Sequence, residues 1–144
     1  MSLPFTIRSS DGWCDITDEI PAADVPWTLG KPDGVGAFQL SVANYKSGRL
    51  PNATSQHLLA LLRDFSDSRE LGEPADLVTE DGELRLTAGS FRCGDDFLRV
   101  WYASDGQSFA KVTYTCAWGR QQAELPDCER MVRTLRFANE KRVG

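Results

Sequence analysis

Residues 91–118 read FRCGDDFLRVWYASDGQSFAKVTYTCAW, and this stretch decides the fold of the chain. Two runs rich in β-branched and aromatic residues lie on either side of ASDGQS, and a third run enters through CGDD. Runs of this kind, separated by short segments that contain Asp and Gly, are typical of antiparallel strands joined by tight turns. The stretch therefore predicts two long paired strands at the centre of a β-sheet.

Side chains along these strands divide into two faces, because successive residues of a strand point in opposite directions. The last strand has an apolar face, which we expect to anchor the helix that begins near Gln121. The opposite face of the strand pair carries Arg99, Trp101 and Lys111. The apolar face consists of Ala110, Val112, Tyr114, Cys116 and Trp118.

The flanking segments predict further strands and two helices. Residues 37–45 and 84–88 alternate as half-buried strands. A helix with apolar side chains at three- and four-residue spacing begins near Asn52 or Thr54 and is stopped by Gly72. A second helix runs from about Gln121 to Thr134, with Pro126 near its start. Shorter strands are predicted near residues 4–9, 13–18, 27–29, 76–80 and 135–137.

The alternation of strand 84–93 changes at Gly89. Apolar residues occupy even positions as far as Ala88 and odd positions from Phe91 onward. A glycine at such a change indicates a β-bulge. The sequence therefore predicts a bulge at Gly89.

The length of 144 residues suits one domain with a single sizeable core. Strands are followed by a helix, then by an antiparallel meander and a second helix. This order predicts an α+β fold, an antiparallel β-sheet flanked by two main helices, over residues 1–138. The polar segment 139–144 is predicted to be a C-terminal tail.

Charge and composition disfavour several classes of function. The net charge is −5, and an acidic surface disfavours nucleic acids and anionic membranes, which attract Lys and Arg. No apolar run approaches the roughly 20 residues needed to span a bilayer. The N-terminal segment MSLPFTIRSSDGW lacks the features of a signal peptide, so we expect a cytoplasmic location. An acidic surface is compatible with a basic protein partner.

The four cysteines are Cys14, Cys93, Cys116 and Cys128, and no two have CxxC spacing. In a cytoplasmic chain of this length, we expect reduced thiols buried as small apolar groups. A Cys93–Cys116 bridge is the alternative, if the two residues lie on neighbouring strands.

No catalytic, cofactor-binding or metal-binding motif is recognisable. His57 is the only histidine, which excludes metal sites that need two. The carboxylate pairs Asp95-Asp96 and Glu80-Asp81 occur at predicted turns, where Asp is favoured for its bonds to the local backbone. Gly34 and Gly36 precede a strand and are not followed by GxGxxG, so they are not a dinucleotide-binding loop. They indicate a turn and a close backbone approach instead.

A basic and aromatic set of strand residues is the candidate binding surface. It could be a solvated or helix-covered face, a protein-binding surface, or a site for an anionic ligand or nucleic acid. Trp27 is added as a candidate interface anchor, with core placement as the alternative for both Trp27 and Trp101. The strand residues are Arg85, Arg92, Arg99, Trp101 and Lys111.

Three segments resemble the PsbP-like/DcrB-like superfamily, which includes the Ran-binding Mog proteins. Residues 11–17 (DGWCDIT) resemble its early GW-x-D-x-T segment, and residues 99–116 resemble its long paired strands. Residues 128–137 resemble its closing helix, with Thr134 in place of Ser. The resemblance implies an antiparallel sheet with helices on both faces, in a superfamily composed mostly of small binding modules.

Residues 34–41 (GVGAFQLS) also resemble a segment of uncharacterised bacterial proteins, some of them suspected toxin-immunity proteins. We therefore expect a non-enzymatic protein-binding module without a cofactor, whose partner is a basic toxin or secreted effector. In that role it would be an immunity protein or a chaperone. The alternative is a domain that binds an anionic small molecule, or an enzyme, through Arg85, Arg99, Trp101 and Lys111. A structural unit of a homodimer is the third hypothesis.

Overall fold

The structure is a computed structural model, and it describes residues 5–17, 26–44, 54–105 and 108–137. The predicted cap Asn52, most of the loop around Pro21 and the tail at 139–144 lie outside these ranges. The helices are α1 Ser55–Ser68 and α2 Leu125–Arg133. The strands are β1 Phe5–Thr6, β2 Cys14–Asp15, β3 Trp27–Gly30, β4 Gly36–Asn44, β5 Ala75–Asp81, β6 Arg85–Cys93, β7 Asp96–Ser104, β8 Ser108–Ala117 and β9 Arg136–Phe137.

Seven of the described strands form one antiparallel sheet with the order β2-β3-β4-β8-β7-β6-β5. Strands β7 and β8 lie at its centre and pair without interruption from Asp96–Ala117 to Ser104–Phe109. The α+β prediction, with these two strands as the central pair, is confirmed. The predicted closing strand is β9, which pairs with β1 as a separate two-stranded sheet.

Helix α2 covers one face of the sheet. Its buried side chains Cys128, Met131 and Val132 pack in one core with the inward residues of β4, β6, β7 and β8. The prediction that the apolar face of β8 anchors this helix is therefore confirmed. Pro126 lies at the start of α2, where its missing N–H costs no intrahelical hydrogen bond. The sheet residues of this core include Phe38, Leu40, Leu86, Phe97, Trp101, Val112 and Tyr114.

Helix α1 covers the other face with a smaller core. Leu58 and Leu62 are fully buried there against Phe91, Val100 and Tyr102. Their spacing of four residues places both leucines on one side of the helix. The sheet is thus buried on both faces, as the superfamily resemblance implies.

The strand register corrects the predicted face of Lys111. Arg99 lies opposite Tyr114, and Trp101 lies opposite Val112. Cross-strand partners point to the same face, so Arg99 and Trp101 lie on the α2 face. Lys111 lies opposite Tyr102 on the α1 face. The prediction that Arg99, Trp101 and Lys111 share a face is wrong.

The bulge predicted at Gly89 is present in the β5–β6 pair, but its extra residue belongs to β5. Two residues of β5, Asp76 and Leu77, lie opposite Gly89. Strand β6 keeps an unbroken register with β7 through this residue. The irregularity lies in the neighbouring strand β5, between Ala75 and Val78, where Asp76 has a φ of 50°. The apolar positions of β6 change parity because the strand contributes side chains to both cores, and the glycine itself serves the packing of α1.

We expect Gly89→Ala to destabilise the fold by about 2 kcal/mol, because a Cβ there overpacks the α1 face. It would lie 2.6 Å from Pro74 Cβ and 3.1 Å from Leu62 Cδ2. Gly82→Ala is the control, since its Cβ would meet only the Leu84 carbonyl at 3.9 Å. Urea unfolding of both variants measures the difference, and equal stabilities would show that α1 does not pack closely at Gly89.

Candidate binding surface

Helix α2 buries two of the residues predicted as a binding surface. Arg99 is 3% exposed and Trp101 is 0% exposed. Arg99 Nε donates to Glu129 Oε2 at 2.6 Å, and Trp101 Nε1 donates to Glu129 Oε1 at 3.3 Å. Arg99 Nη1 also donates to the Ser90 hydroxyl at 2.9 Å and to the Asp76 carbonyl at 3.1 Å. The two side chains thus hold α2 on the sheet.

Glu129 joins Arg99 to a second arginine. Arg133 Nη1 donates to Glu129 Oε1 at 2.7 Å, and Arg133 Nη2 donates to Glu80 Oε2 of β5 at 2.9 Å. Burial opposes ionisation of Glu129, but the bond from Arg133, the charge of Arg99 and the bond from Trp101 outweigh it. The pKa of Glu129 is therefore lowered. A row of alternating charges connects β7, α2 and β5.

The lowered pKa of Glu129 predicts a loss of stability in acid. A carboxyl group whose pKa is lower in the folded state stabilises the fold above its unfolded-state pKa, here near 4.5, and loses that effect as the pH falls through its folded-state pKa. We expect Glu129→Gln to be less stable than wild type at pH 7 and the difference to shrink at about pH 3. Urea midpoints at both pH values measure this. A difference independent of pH would contradict the assignment.

Three more of the six predicted residues lie elsewhere in the sheet. Trp27 of β3 is half-buried, and its ring packs edge-on against Phe5 with centroids 5.1 Å apart. Arg85 is half-buried at the first residue of β6. Lys111 is half-buried beside α1, with Nζ 4.1 Å from the ring centroid of Phe65. The sixth, Arg92, is exposed near the end of β6, so the structure does not bring the six candidate residues together.

Two of the residues weighed for catalysis, His57 and Asp81, bind residues at the start of α1. His57 Nδ1 accepts a hydrogen bond from the Thr54 backbone N at 3.0 Å. Asp81 accepts bonds from the Ser55 backbone N and hydroxyl, at 3.1 and 2.7 Å. Across the described ranges, no group of three or more His, Cys, Asp or Glu residues is placed to hold a metal ion.

All four cysteines are free. Cys93 lies on β6 and Cys116 on β8, and β7 separates the two strands, so these residues are not on neighbouring strands. Burial raises the pKa of the Cys116 and Cys128 thiols, which keeps them protonated and weakly nucleophilic. Cys14 is exposed, contrary to the expectation of burial.

Glu124 binds the turn that contains Gly34 and Gly36. This residue is 2% exposed, and its carboxylate accepts hydrogen bonds from the backbone N of Val35 and Gly36, both at 3.1 Å. The Tyr114 hydroxyl donates to it at 2.9 Å. A Cβ at Gly34 would lie 2.6 Å from Glu124 Oε2. The close backbone approach predicted for the glycines is therefore to a carboxylate of this chain.

An open cleft of about 630 Å³ lies between the β1–β9 pair and the end of α2. Two of its three arginines are already bound within the protein: Arg133 to two carboxylates, and Arg136 to the carbonyls of Arg133 and Leu135. Arg8 has no side-chain partner among the described residues. The cleft therefore presents little unsatisfied charge to a ligand. Its lining residues are Thr6, Ile7, Arg8, Arg133, Thr134 and Arg136.

A more distinctive region lies where the β6–β7 turn meets the end of β8. We call it the end surface, and it consists of Arg92, Asp95, Asp96 and Trp118, all exposed. Trp118 is 44% exposed. Within the described part of the chain, the only other exposed large hydrophobic residue is Leu77 of β5, at 41%.

The ring of Trp118 is held from two sides. Its centroid lies 6.1 Å from that of Phe97, and the Arg92 guanidinium carbon lies 4.6 Å from the ring centroid. The Trp118 backbone N donates to the Asp95 carbonyl at 2.8 Å, which fixes the chain beyond β8. A side chain already held in one position loses little conformational freedom when a partner covers it.

Trp118 was assigned by the sequence to the apolar face of β8 and was not singled out for binding. Its ring does contact Phe97 of that face. Helix α2 begins only at Leu125 and packs over the centre of the sheet, so the ring at the strand end is left partly uncovered. One feature of the sequence could have indicated this exposure: Trp118 directly precedes Gly119-Arg120, where the strand stops.

The sequence matches no protein family, and it matches no curated protein. Solved structures do share the fold, among them a Bacteroides protein and a cyanobacterial protein. A Bacteroides thetaiotaomicron protein is 16% identical over 96% of this chain, with a TM-score of 0.62, and this chain spans 46% of that protein's length. Cyanobacterial PsbP (CyanoP) of Synechocystis sp. PCC 6803 is 9% identical over 93% of this chain and 92% of its own, with a TM-score of 0.56. The likeness confirms a PsbP-like α+β fold.

The described part of the chain contains no helix that is both long and apolar enough to cross a bilayer.

Proposed function

We propose that this protein is a non-enzymatic protein-binding module and that the end surface contacts its partner. The observation that carries the proposal is Trp118, which is 44% exposed and in contact with Phe97 and Arg92. Aromatic residues supply much of the binding energy at protein interfaces, since they bury a large area with few rotatable bonds. Trp118 is therefore the anchor of the proposed interface.

The charge of the protein favours a basic partner. Asp95 and Asp96 are exposed in the turn beside Trp118, and the chain carries a net charge of −5. Complementary charge raises the rate of association and disfavours acidic competitors. The finer proposal is that the partner is a bacterial toxin or secreted effector, with this protein as its immunity protein or chaperone. The likeness of residues 34–41 to suspected immunity proteins supports this.

Affinity capture with matched variants tests the proposal. The wild-type protein and the Trp118→Ala and Leu77→Ala variants are immobilised and exposed to lysate of the native host. We expect one basic protein to be retained by wild type and by Leu77→Ala, and its recovery to fall about tenfold or more with Trp118→Ala. The captured protein is then purified and its affinity for each variant is measured by calorimetry.

The Leu77 variant is the control because Leu77 is exposed to a similar extent as Trp118. It lies on the edge strand β5, which is not paired with β8. Equal recovery by all three baits would place the interface away from Trp118. Failure of the wild-type bait to retain any protein would count against a protein-binding function altogether.

A further inference from the structure

Two cations contact a single aromatic ring on the α1 face of the sheet. The Arg69 guanidinium carbon lies 4.7 Å from the ring centroid of Phe65, and Lys111 Nζ lies 4.1 Å from the same centroid. The ring attracts each cation, but the two positive charges repel each other. An anion bound to both would remove that repulsion.

Neither cation is neutralised by a carboxylate of the described residues. The salt bridges in these ranges use Arg63, Arg99, Arg130 and Arg133. Burial, and then the charge of Arg69, lower the pKa of Lys111, and no carboxylate offsets them. The chain has a net charge of −5, yet this half-buried lysine is influenced by a second cation and not by a carboxylate.

A neutral donor completes the group. Tyr102 lies directly opposite Lys111 in the β7–β8 register, so the two side chains point to the same face. Its hydroxyl forms no hydrogen bond within the described ranges and is not sealed from solvent. Burial raises the pKa of Tyr102, while the charge of Arg69 lowers it and the charge of Asp64 raises it. The net effect is an increase in the pKa, so the phenol keeps its proton and can act as a donor.

We propose that Arg69, Tyr102 and Lys111 form a binding site for a phosphate-type dianion, separate from the end surface. The guanidinium offers two parallel N–H donors, the ammonium a compact charge and the phenol a neutral donor, a combination suited to several oxygens of one phosphoryl group. Two cations in contact with one ring favour a dianion over a single carboxylate. Asp64 of α1, whose charge acts on Tyr102, forms no ion pair with either cation among the described residues.

Titration with inorganic phosphate, followed by amide NMR at constant ionic strength, tests the site. We expect saturable shifts at residues 69, 102 and 111, and a loss of affinity of about tenfold in Lys111→Gln and in Arg69→Gln. Arg8→Gln removes an unpaired arginine of the cleft and should leave the affinity within about twofold of wild type. Arg69 is exposed at the end of α1, so its replacement should not disturb folding.

The pKa of Lys111 provides a second measurement. Phosphate that does not bind at this site should leave this pKa unchanged at constant ionic strength. Saturating phosphate should raise the pKa of Lys111, measured from its ε-carbon resonance, because a bound dianion offsets burial and the charge of Arg69. Phenyl phosphate serves as a second probe, and tighter binding than inorganic phosphate would identify an organic phosphoryl group as the ligand class. Shifts elsewhere in the chain, an unchanged Lys111 pKa, or equal weakening in Arg8→Gln would overturn the site.

Discussion

Arg99→Ala should destabilise the folded protein by about 3 kcal/mol or more, because it removes the buried one of the two arginines that bind the partly buried Glu129 carboxylate. Arg99 is 3% exposed and gives Glu129 a 2.6 Å hydrogen bond. The variant also leaves the Ser90 hydroxyl and the Asp76 carbonyl without a donor. Urea unfolding measures the loss.

Arg63→Ala is the matched control, since Arg63 pairs with Glu73 at the surface and their side chains are 45% and 83% exposed. Its cost should stay below about 1 kcal/mol. A variant in which Met replaces Arg99 and Leu replaces Glu129 should recover part of the lost stability, because no buried charge remains unpaired. Equal losses for Arg99→Ala and Arg63→Ala would contradict the burial of this ion pair.

Glu124→Ala should have a comparable effect, about 3 kcal/mol, because it leaves three donors of the interior without an acceptor. The donors are the backbone N of Val35, the backbone N of Gly36 and the Tyr114 hydroxyl. Burial raises the pKa of Tyr114, so the phenol remains a donor. The loss appears as a lower urea midpoint.

Two further variants separate the contributions. Glu124→Gln keeps a carbonyl acceptor and should lose less stability than Glu124→Ala. Tyr114→Phe removes one donor and should cost about 1 kcal/mol. In the double variant of Glu124→Ala and Tyr114→Phe the two losses should not add, since both remove the same hydrogen bond. Strict additivity would show that the phenol and the carboxylate are not coupled.

Local features of the fold could be predicted from the sequence because they depend on neighbouring residues. Thr54 caps α1, and alternation marks the long strands. The end of α1 is an exception, because the helix ends at Ser68 and the left-handed residue that follows it is Glu70, with a φ of 55°, rather than the predicted Gly72. Relations between strands could not be predicted in the same way. The register of β7 against β8 depends on how many residues the turn between them contains, and an error of one residue moves every side chain to the other face. This is why Lys111 was assigned to the wrong face.

The candidate site was predictable only in part. Arg99 and Trp101 were recognised as unusual residues for a strand, but a buried ion pair and an exposed binding face give the same sequence pattern. Whether these side chains are buried or exposed depends on where α2 packs on the sheet, and tertiary contacts determine that position. Trp118 reads as one more core residue because it continues the apolar alternation of β8. Trp118 is exposed because the end of β8 extends past the part of the sheet that α2 covers.

Site-specific photo-crosslinking in the native host tests the central claim most directly. Benzoylphenylalanine is introduced in place of Trp118 of the end surface, and in a separate protein in place of Leu77, the other exposed hydrophobic residue of the described ranges. We expect irradiation to join the residue-118 probe to one basic protein, and we expect the residue-77 probe not to capture that protein. Absence of a crosslink from position 118, or the same product from both positions, would contradict a partner bound at the end surface.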